Sequence, residues 1–258
     1  MLTVIVNNLY RLSFKQNKFV VFQNEEDLKE FIPFLGKNKA VLIKSSGVNL
    51  KYFSKEVCQE FSKFKINKKY FTFLFVGRFL KDKGIYELIK ACKKLSQDDF
   101  LFNLWILGSI DKGNPASMSE EELNQLKKLS FIKILPFAKD VRPYLCASDC
   151  VVLPSYREGI PRSLLEAMAM EKPIITTDAP GCRDVCFDEV NGFLVRPKDE
   201  ESLYMAMKRM IELSEAERKS MGVAGRKIVQ ENFSEDIVIR KYIEVINKIL
   251  KEKQRTGE

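Results

Sequence analysis

The 258-residue sequence is 45% hydrophobic and 30% charged, carries 19 Phe and a net charge of +8, and contains no histidine. This composition excludes a disordered chain, and no apolar run approaches the ~20 residues of a membrane-spanning helix. The absence of histidine excludes Ser-His-Asp and Cys-His catalysis, histidine general bases and histidine metal ligands, leaving carboxylates, Lys, Arg, hydroxyls, thiols and backbone amides for any chemistry.

The N-terminus, Met1–Arg11, is weakly apolar but is interrupted by Asn7 and Asn8, which makes it a poor signal peptide. Phe19–Phe22 reads as a short strand. Asn24 then suits a helix N-cap, and Phe31, Ile32 and Leu35 continue the helical pattern to Gly36. Ala40–Ile43 is a second strand, closed by the turn Ser46-Gly47-Val48-Asn49. The lysine-rich stretch Ser54–Lys69 reads as a linker or surface helix.

From residue 70 onward strands and helices alternate. Strands are predicted at Phe71–Val76, Asn103–Leu107, Ile132–Leu135, Asp149–Leu153, Pro173–Thr176 and Phe193–Val195. Between them fall helices from about Gly84 to Leu95, up to about Leu129, near Asp140–Ala147 and at Ile160–Met170. Two or three further helices fill Asp199–Lys253, and the tail Glu252–Glu258 is polar. Short apolar strands alternating with helices imply an α/β fold with a parallel sheet covered on both faces. Ligands of such sheets bind beyond the carboxyl ends of the strands, in the strand-to-helix loops.

Two such loops carry suitable chemistry. In Gly77-Arg78-Phe79-Leu80-Lys81-Asp82-Lys83-Gly84, the glycines allow close backbone approach and tight helix entry, while Arg78 and Lys83 suit a diphosphate. The alternative is an Arg78 paired with a carboxylate and a solvated Lys83. In Pro154 to Glu166, Pro161 fits the first helical position and Gly159 admits a ligand to the helix start. The free amides of Ile160, Arg162, Ser163 and Leu164 then face an anion. Glu158 and Glu166 flank that helix start, and carboxylates accept paired hydrogen bonds from polyols such as a ribose or a sugar. The alternative is that Glu158 caps the helix and Glu166 is solvated. A third loop holds Phe137, which either stacks on a base or belongs to the core.

Residues 51–94 hold 12 basic and 4 acidic residues, a local excess as large as the net charge of the whole chain. Solvated lysines, an anionic ligand or an anionic membrane surface account for it. No nucleic-acid partner is expected, because no zinc-finger, RRM or helix-turn-helix pattern occurs. The six cysteines, Cys58, Cys92, Cys146, Cys150, Cys182 and Cys186, read as small buried thiols of a reducing compartment. No metal site is expected, since without histidine four of them would have to supply a zinc.

Gly77-Arg78, Lys83-Gly84, Asp149 to Pro154, Glu158-Gly159-Ile160-Pro161, Glu166 to Ala169, Pro173-Ile174 and Asn191 to Leu194 occur in an order that resembles the GT4-type (group 1) retaining glycosyltransferases. Val20–Phe31 and Lys44–Phe53 resemble the segment where such enzymes cross from their first domain to their second. The resemblance implies a Rossmann-like doubly wound parallel sheet, one half of a GT-B fold, with most of the N-terminal acceptor domain absent. Its implied parts are residues 1–44 as the end of that domain, 45–232 as the nucleotide-sugar domain and 233–258 as a returning helix with an exposed apolar face.

The resemblance further implies a nucleotide-sugar donor, UDP-linked, bound without metal and without a cofactor. Arg78 and Lys83 would hold its diphosphate, with the backbone of Gly77 and of Gly159 to Leu164. Glu166 would hold the ribose, Glu158 the donor sugar, and Phe137 the base. Implied as well are a cytoplasmic place, peripheral contact with an inner membrane or lipid-linked acceptor, and bacterial cell-surface glycan synthesis, by a chain that is either truncated or served by an acceptor domain on a separate polypeptide. A chain of this length is expected to lack autonomous transfer activity, or to be a non-catalytic UDP-sugar-binding module. A dehydrogenase is excluded, because no G-x-G-x-x-G follows an early strand.

Overall fold

The computed structural model describes residues 2–35, 37–61 and 70–256. It opens with helix α1 (Leu2–Gln16), where the sequence showed only a weakly apolar terminus. Strand β1 (Val20–Phe22), helix α2 (Glu25–Leu35) and strand β2 (Ala40–Leu42) follow, and β1 pairs with β2 in parallel. Asn24 caps α2 as expected: its Oδ1 accepts from the Asp27 backbone N–H at 2.7 Å. Glu25, Glu26 and Asp27 add negative charge at the positive end of that helix. Tyr10, Phe14, Phe22 and Phe31 pack their rings together beneath α1 and α2. The expected helix stop at Gly36 and the second half of Ser54–Lys69 lie outside the described residues.

The main body runs β3 (Phe71–Val76), α3 (Ile85–Gln97), β4 (Phe102–Leu107), α4 (Glu120–Leu126), β5 (Ile132–Leu135), α5 (Arg142–Ala147) and β6 (Cys150–Leu153). It continues with α6 (Arg162–Ala169), β7 (Ile174–Thr177), β8 (Gly192–Val195), α7 (Glu200–Glu212), α8 (Glu215–Asn232) and α9 (Glu235–Thr256). All pairings are parallel, and the sheet order is β5-β4-β3-β6-β7-β8. This is the parallel sheet expected from the alternation, in the doubly wound, Rossmann-like form that the resemblance implies. The strand order reverses between β3 and β6, so the crevice for a ligand opens between their carboxyl ends. The two loops singled out in the sequence begin at those two ends.

Strands β6 and β7 are buried at every position, which explains their unbroken apolar runs. Asp149 fixes the start of β6 against β3: its carboxylate accepts from Thr72 N–H at 2.8 Å, and its own N–H donates to Thr72 O at 2.9 Å. At the other end, buried hydroxyls close the strand tips. Thr176 donates to Leu153 O at 2.7 Å, Thr177 donates to Ser155 O, and Ser155 donates to Asp82 O at 3.0 Å and to Arg157 O at 3.3 Å.

Three expectations are corrected. Cys58 and Cys146 form a disulfide across 88 residues of sequence, joining a single turn at Lys55–Gln59 to α5. The fold brings them together; their spacing gave no sign of it. Cys92, Cys150, Cys182 and Cys186 are buried free thiols, as expected, and burial raises the pKa of each. Pro161 stands at the N-cap of α6 with ψ 111°, one residue before the helix, rather than at its first position. Helix α4 stops at Leu126, short of Leu129.

Chain entry and exit run side by side. Val48 N–H donates to Phe233 O at 2.9 Å, and Glu235 N–H donates to Val48 O at 3.1 Å. The apolar face expected on the last helix is present: Ile239, Tyr242, Ile243, Ile246 and Leu250 are exposed along α9. Among the described residues no helix is long and apolar enough to cross a membrane.

Candidate functional site

The loop after β3 is held in shape by its own backbone. Gly77 N–H donates to Leu107 O at 3.1 Å and Phe79 N–H donates to Ser109 O at 3.0 Å. A tight turn at Lys81–Lys83 then leads to Gly84, which adopts φ +69° and starts α3 with no side-chain cap. Glycine is required there. A Cβ at 84 would lie 2.0 Å from Pro154 O, so the two loops touch at this point.

The loop after β6 is tied to the first by several bonds. Tyr156 N–H donates to Asp82 O at 2.8 Å, and Tyr156 OH donates to Glu87 Oε1 at 2.7 Å. Burial and that carboxylate push the tyrosine pKa well up. Lys83 Nζ forms an ion pair with Glu158 Oε1 in which both side chains are largely buried. The cation assigned to the diphosphate and the carboxylate assigned to the sugar are thus neighbours.

Helix α6 begins with no side-chain cap and no acidic residue in its first turn. The N–H groups of its first two residues, Arg162 and Ser163, precede the first helical bonds, which Leu164 and Leu165 N–H make to Pro161 O; with the Arg162 side chain they make that end electropositive. Glu166 Oε1 accepts from Arg162 Nε at 3.0 Å, one turn in. Its side chain is only 12% exposed. Burial therefore raises its carboxyl pKa above the usual range, while Arg162 opposes the rise. The expectation of a solvated Glu166 is excluded. Ile160 and Leu164 turn their side chains into the core. The Leu164 N–H donates to Pro161 O at 3.1 Å, so the expectation that it faces an anion is corrected.

Arg78 follows its alternative reading in part. Its Nη1 donates to Asp111 Oδ2 at 2.7 Å, but the side chain stays 60% exposed and free to reach a ligand. Beside it a cavity of about 260 Å³ opens among Gly77, Arg78, Gly108, Phe137 and Val141. Phe137 is 72% exposed at its rim, which excludes a core role. An apolar slot with an exposed ring, next to an arginine, suits a planar base joined to phosphates.

A family model for "Glycosyl transferases group 1" matches residues 58–228. This chain belongs to the group 1 glycosyltransferases. The N,N'-diacetylbacillosaminyl-diphospho-undecaprenol alpha-1,3-N-acetylgalactosaminyltransferase of Campylobacter jejuni is 31% identical, over 96% of this chain and 65% of its own length. The capsular polysaccharide biosynthesis glycosyltransferase CapM of Staphylococcus aureus is 29% identical over 74% of this chain and 51% of its own. This group 1 chain therefore spans about half to two thirds of the length of these relatives. Anabaena Alr3699/HepE, solved in complex with UDP-glucose, superposes with a TM-score of 0.78 at 20% identity. The match covers 90% of this chain and 64% of that one, and it establishes likeness of fold.

Some features of this candidate site are not visible in the sequence. Gly181, at φ +78°, packs where a Cβ would lie 2.3 Å from both Glu158 O and Gly159 O, so the loop after β7 braces the loop after β6. Glu158 N–H donates to Pro180 O at 3.0 Å in the same seam. Gly159 itself faces Gln23 Oε1, 2.6 Å from where its Cβ would stand, so a protein side chain occupies the approach reserved for a ligand. The acidic partner of Arg78 comes from a loop after β4 that no motif marks. Among the described residues no group of three or more His, Cys, Asp or Glu could hold a metal ion.

Proposed function

We propose that this chain is the donor-binding half of a retaining, metal-independent, GT4-type glycosyltransferase that takes a UDP-sugar. The observation that carries the reading is the convergence of Lys83, Arg78 and the uncapped start of α6 at the strand-order reversal. A diphosphate laid across this point exchanges Asp111 and Glu158 for phosphate oxygens as the partners of Arg78 and Lys83. These cations and the helix start gather the charge that appears on the leaving nucleotide diphosphate. Glu158, released from Lys83, accepts from hydroxyls of the donor sugar, and Glu166 accepts from the ribose. The slot beside Phe137 takes the base. None of these steps needs histidine, and the chain has none.

The relative from Campylobacter jejuni, whose name carries an undecaprenol-linked acceptor, and CapM, named for capsule biosynthesis, support a role in bacterial cell-surface glycan synthesis on a lipid-linked acceptor. The UDP-glucose complex of the Anabaena protein supports the choice of uridine. Work on such an acceptor would bring the protein peripherally to the inner membrane. Acceptor-side residues then come from a further domain, on this or another polypeptide.

Thermal unfolding with nucleoside diphosphates tests the reading. At a ligand concentration of 100 Kd, UDP or a UDP-sugar should stabilise the chain by about 2.7 kcal/mol, or roughly 5–10 °C for a domain of this size. Arg78→Ala, Lys83→Ala and Glu166→Ala should each lose the shift. No shift with uridine, guanosine or adenosine diphosphate refutes nucleotide-sugar binding.

A further inference from the structure

Asn24 does more than cap α2. It is fully buried, although it stands in the segment between β1 and α2, far in sequence from the donor loops. Its Oδ1 accepts from Asp27 N–H at 2.7 Å. Its Nδ2 faces three acceptors: Asp27 Oδ2 at 2.8 Å, Glu158 O at 3.3 Å and Gly159 O at 3.2 Å. Only one orientation of the amide fits this set, because the side carrying a backbone donor must be oxygen. Asn24 thus binds the backbone of the residue assigned to the donor sugar.

The surroundings make that bond decisive for Glu158. Its N–H is held by Pro180 O, its carbonyl by Asn24, and Gly181 closes the remaining side of the carbonyls at 158 and 159. Gln23, the neighbour of Asn24, lies against Gly159. Oppositely charged residues seal the same seam. Arg157 pairs with Asp27 and with Glu30 at 3.2 Å, and Arg183 pairs with Glu26 at 3.3 Å. The first turn of α2 is therefore docked on the Glu158 loop by complementary charge, with one buried amide at its centre. Burial removes water as a substitute partner, so the amide sets the loop geometry rather than merely tolerating it.

We propose that Asn24 is a positioning residue for the donor sugar: it fixes the Glu158–Gly159 backbone, and through it the aim of the Glu158 carboxylate, without touching the nucleotide. This rests on the proposed donor site. It assigns the β1–α2 segment to the sugar end of that site. The nucleotide end, built from Arg78, Glu166 and the Phe137 slot, has no contact with Asn24.

The test compares affinities of the full chain for UDP and for a panel of UDP-hexoses by titration calorimetry. Asn24→Ser keeps an oxygen to cap α2 but cannot reach the two carbonyls. It should leave the Kd for UDP within about twofold and weaken the preferred UDP-hexose about tenfold, the effect of one or two lost hydrogen bonds. Glu158→Gln should weaken the same UDP-hexose selectively. The double variant should be no weaker than Glu158→Gln alone, since Asn24 acts through Glu158. Asn24→Asp, which keeps the cap and the side-chain shape, is the second variant should Asn24→Ser not fold.

Equal losses for UDP and UDP-hexose, or additive losses in the double variant, overturn the positioning role while leaving the donor site standing. A Glu158→Gln variant with unchanged sugar affinity also overturns it, as does failure of both Asn24 variants to fold, which makes Asn24 a stability residue. Wild-type protein that binds no nucleoside diphosphate refutes the proposed function itself.

Discussion

Gly84→Ala tests whether the two loops of the proposed donor site depend on one contact. Two costs add. An alanine at φ +69° costs about 1–2 kcal/mol from backbone sterics alone. Its Cβ would also stand 2.0 Å from Pro154 O, 2.8 Å from Pro154 C and 2.9 Å from Pro154 Cγ, where ordinary contact begins at 3.4 Å. Relief requires the loops to part by more than 1 Å, which lengthens the bonds from Tyr156 N–H and Ser155 Oγ to Asp82 O beyond useful range. At about 1 kcal/mol each, the total comes to about 3–4 kcal/mol, or on the order of 10 °C in Tm. Gly113 supplies the control. It adopts φ +89° with nothing within 4 Å of its Cβ position, so Gly113→Ala carries only the backbone cost of about 1–2 kcal/mol. Thermal melts of both variants, with and without UDP, separate the terms. The expected result is a larger loss for Gly84→Ala together with loss of the UDP shift, and a UDP shift kept intact in Gly113→Ala. Equal losses of stability in the two variants refute the steric argument.

Glu166→Gln should raise Tm at pH 7. The folded carboxyl has a raised pKa, so its favourable contribution is present below the unfolded-state value of about 4.3 and is lost as pH rises through the folded value. The gain should therefore fade as pH falls below about 4, and a gain independent of pH contradicts burial as its cause. The disulfide makes a separate prediction. Chain entropy for a separation of 88 residues gives about 4–5 kcal/mol, so Cys58→Ser should lower Tm by on the order of 10 °C. Thiol titration of the unreduced, denatured chain should count four groups, and six would refute the bond.

Period and punctuation made most of the fold legible. Unbroken apolar runs such as Cys150–Leu153 have one stable setting, a buried parallel strand, and Gly84 and Asn24 marked helix starts correctly. The loops at Gly77 and Pro154 were found because sheets of this class place ligands beyond their carboxyl ends. Contacts that only the three-dimensional path creates stayed hidden. Nothing near Cys58 points to Cys146, and nothing near Glu158 points to Gly181 or Asn24. Helix α1 is not legible because its apolar residues show no single buried face, with Leu9, Tyr10 and Leu12 all exposed. Phe137 is ambiguous for a different reason: an aromatic residue after a strand suits a core or a stacking surface equally, and only its exposure decides.

The buried hydroxyls at the strand tips have an electrostatic consequence. Carbonyl oxygens at and beyond the carboxyl ends of parallel strands carry partial negative charge into the crevice proposed to take a diphosphate. Ser155, Thr176 and Thr177 donate to four carbonyl oxygens there, that of Leu153 at the end of β6 and those of Asp82, Ser155 and Arg157 in the loops beyond the strands. Each bond draws a carbonyl lone pair inward and spends it on a proton of the protein itself. The floor beneath Lys83 and the α6 helix start is thereby made less repulsive to an anion by uncharged groups, which salt does not screen and ordinary pH does not titrate. Attraction of the phosphates by lysine and arginine would vary with ionic strength; this background would not.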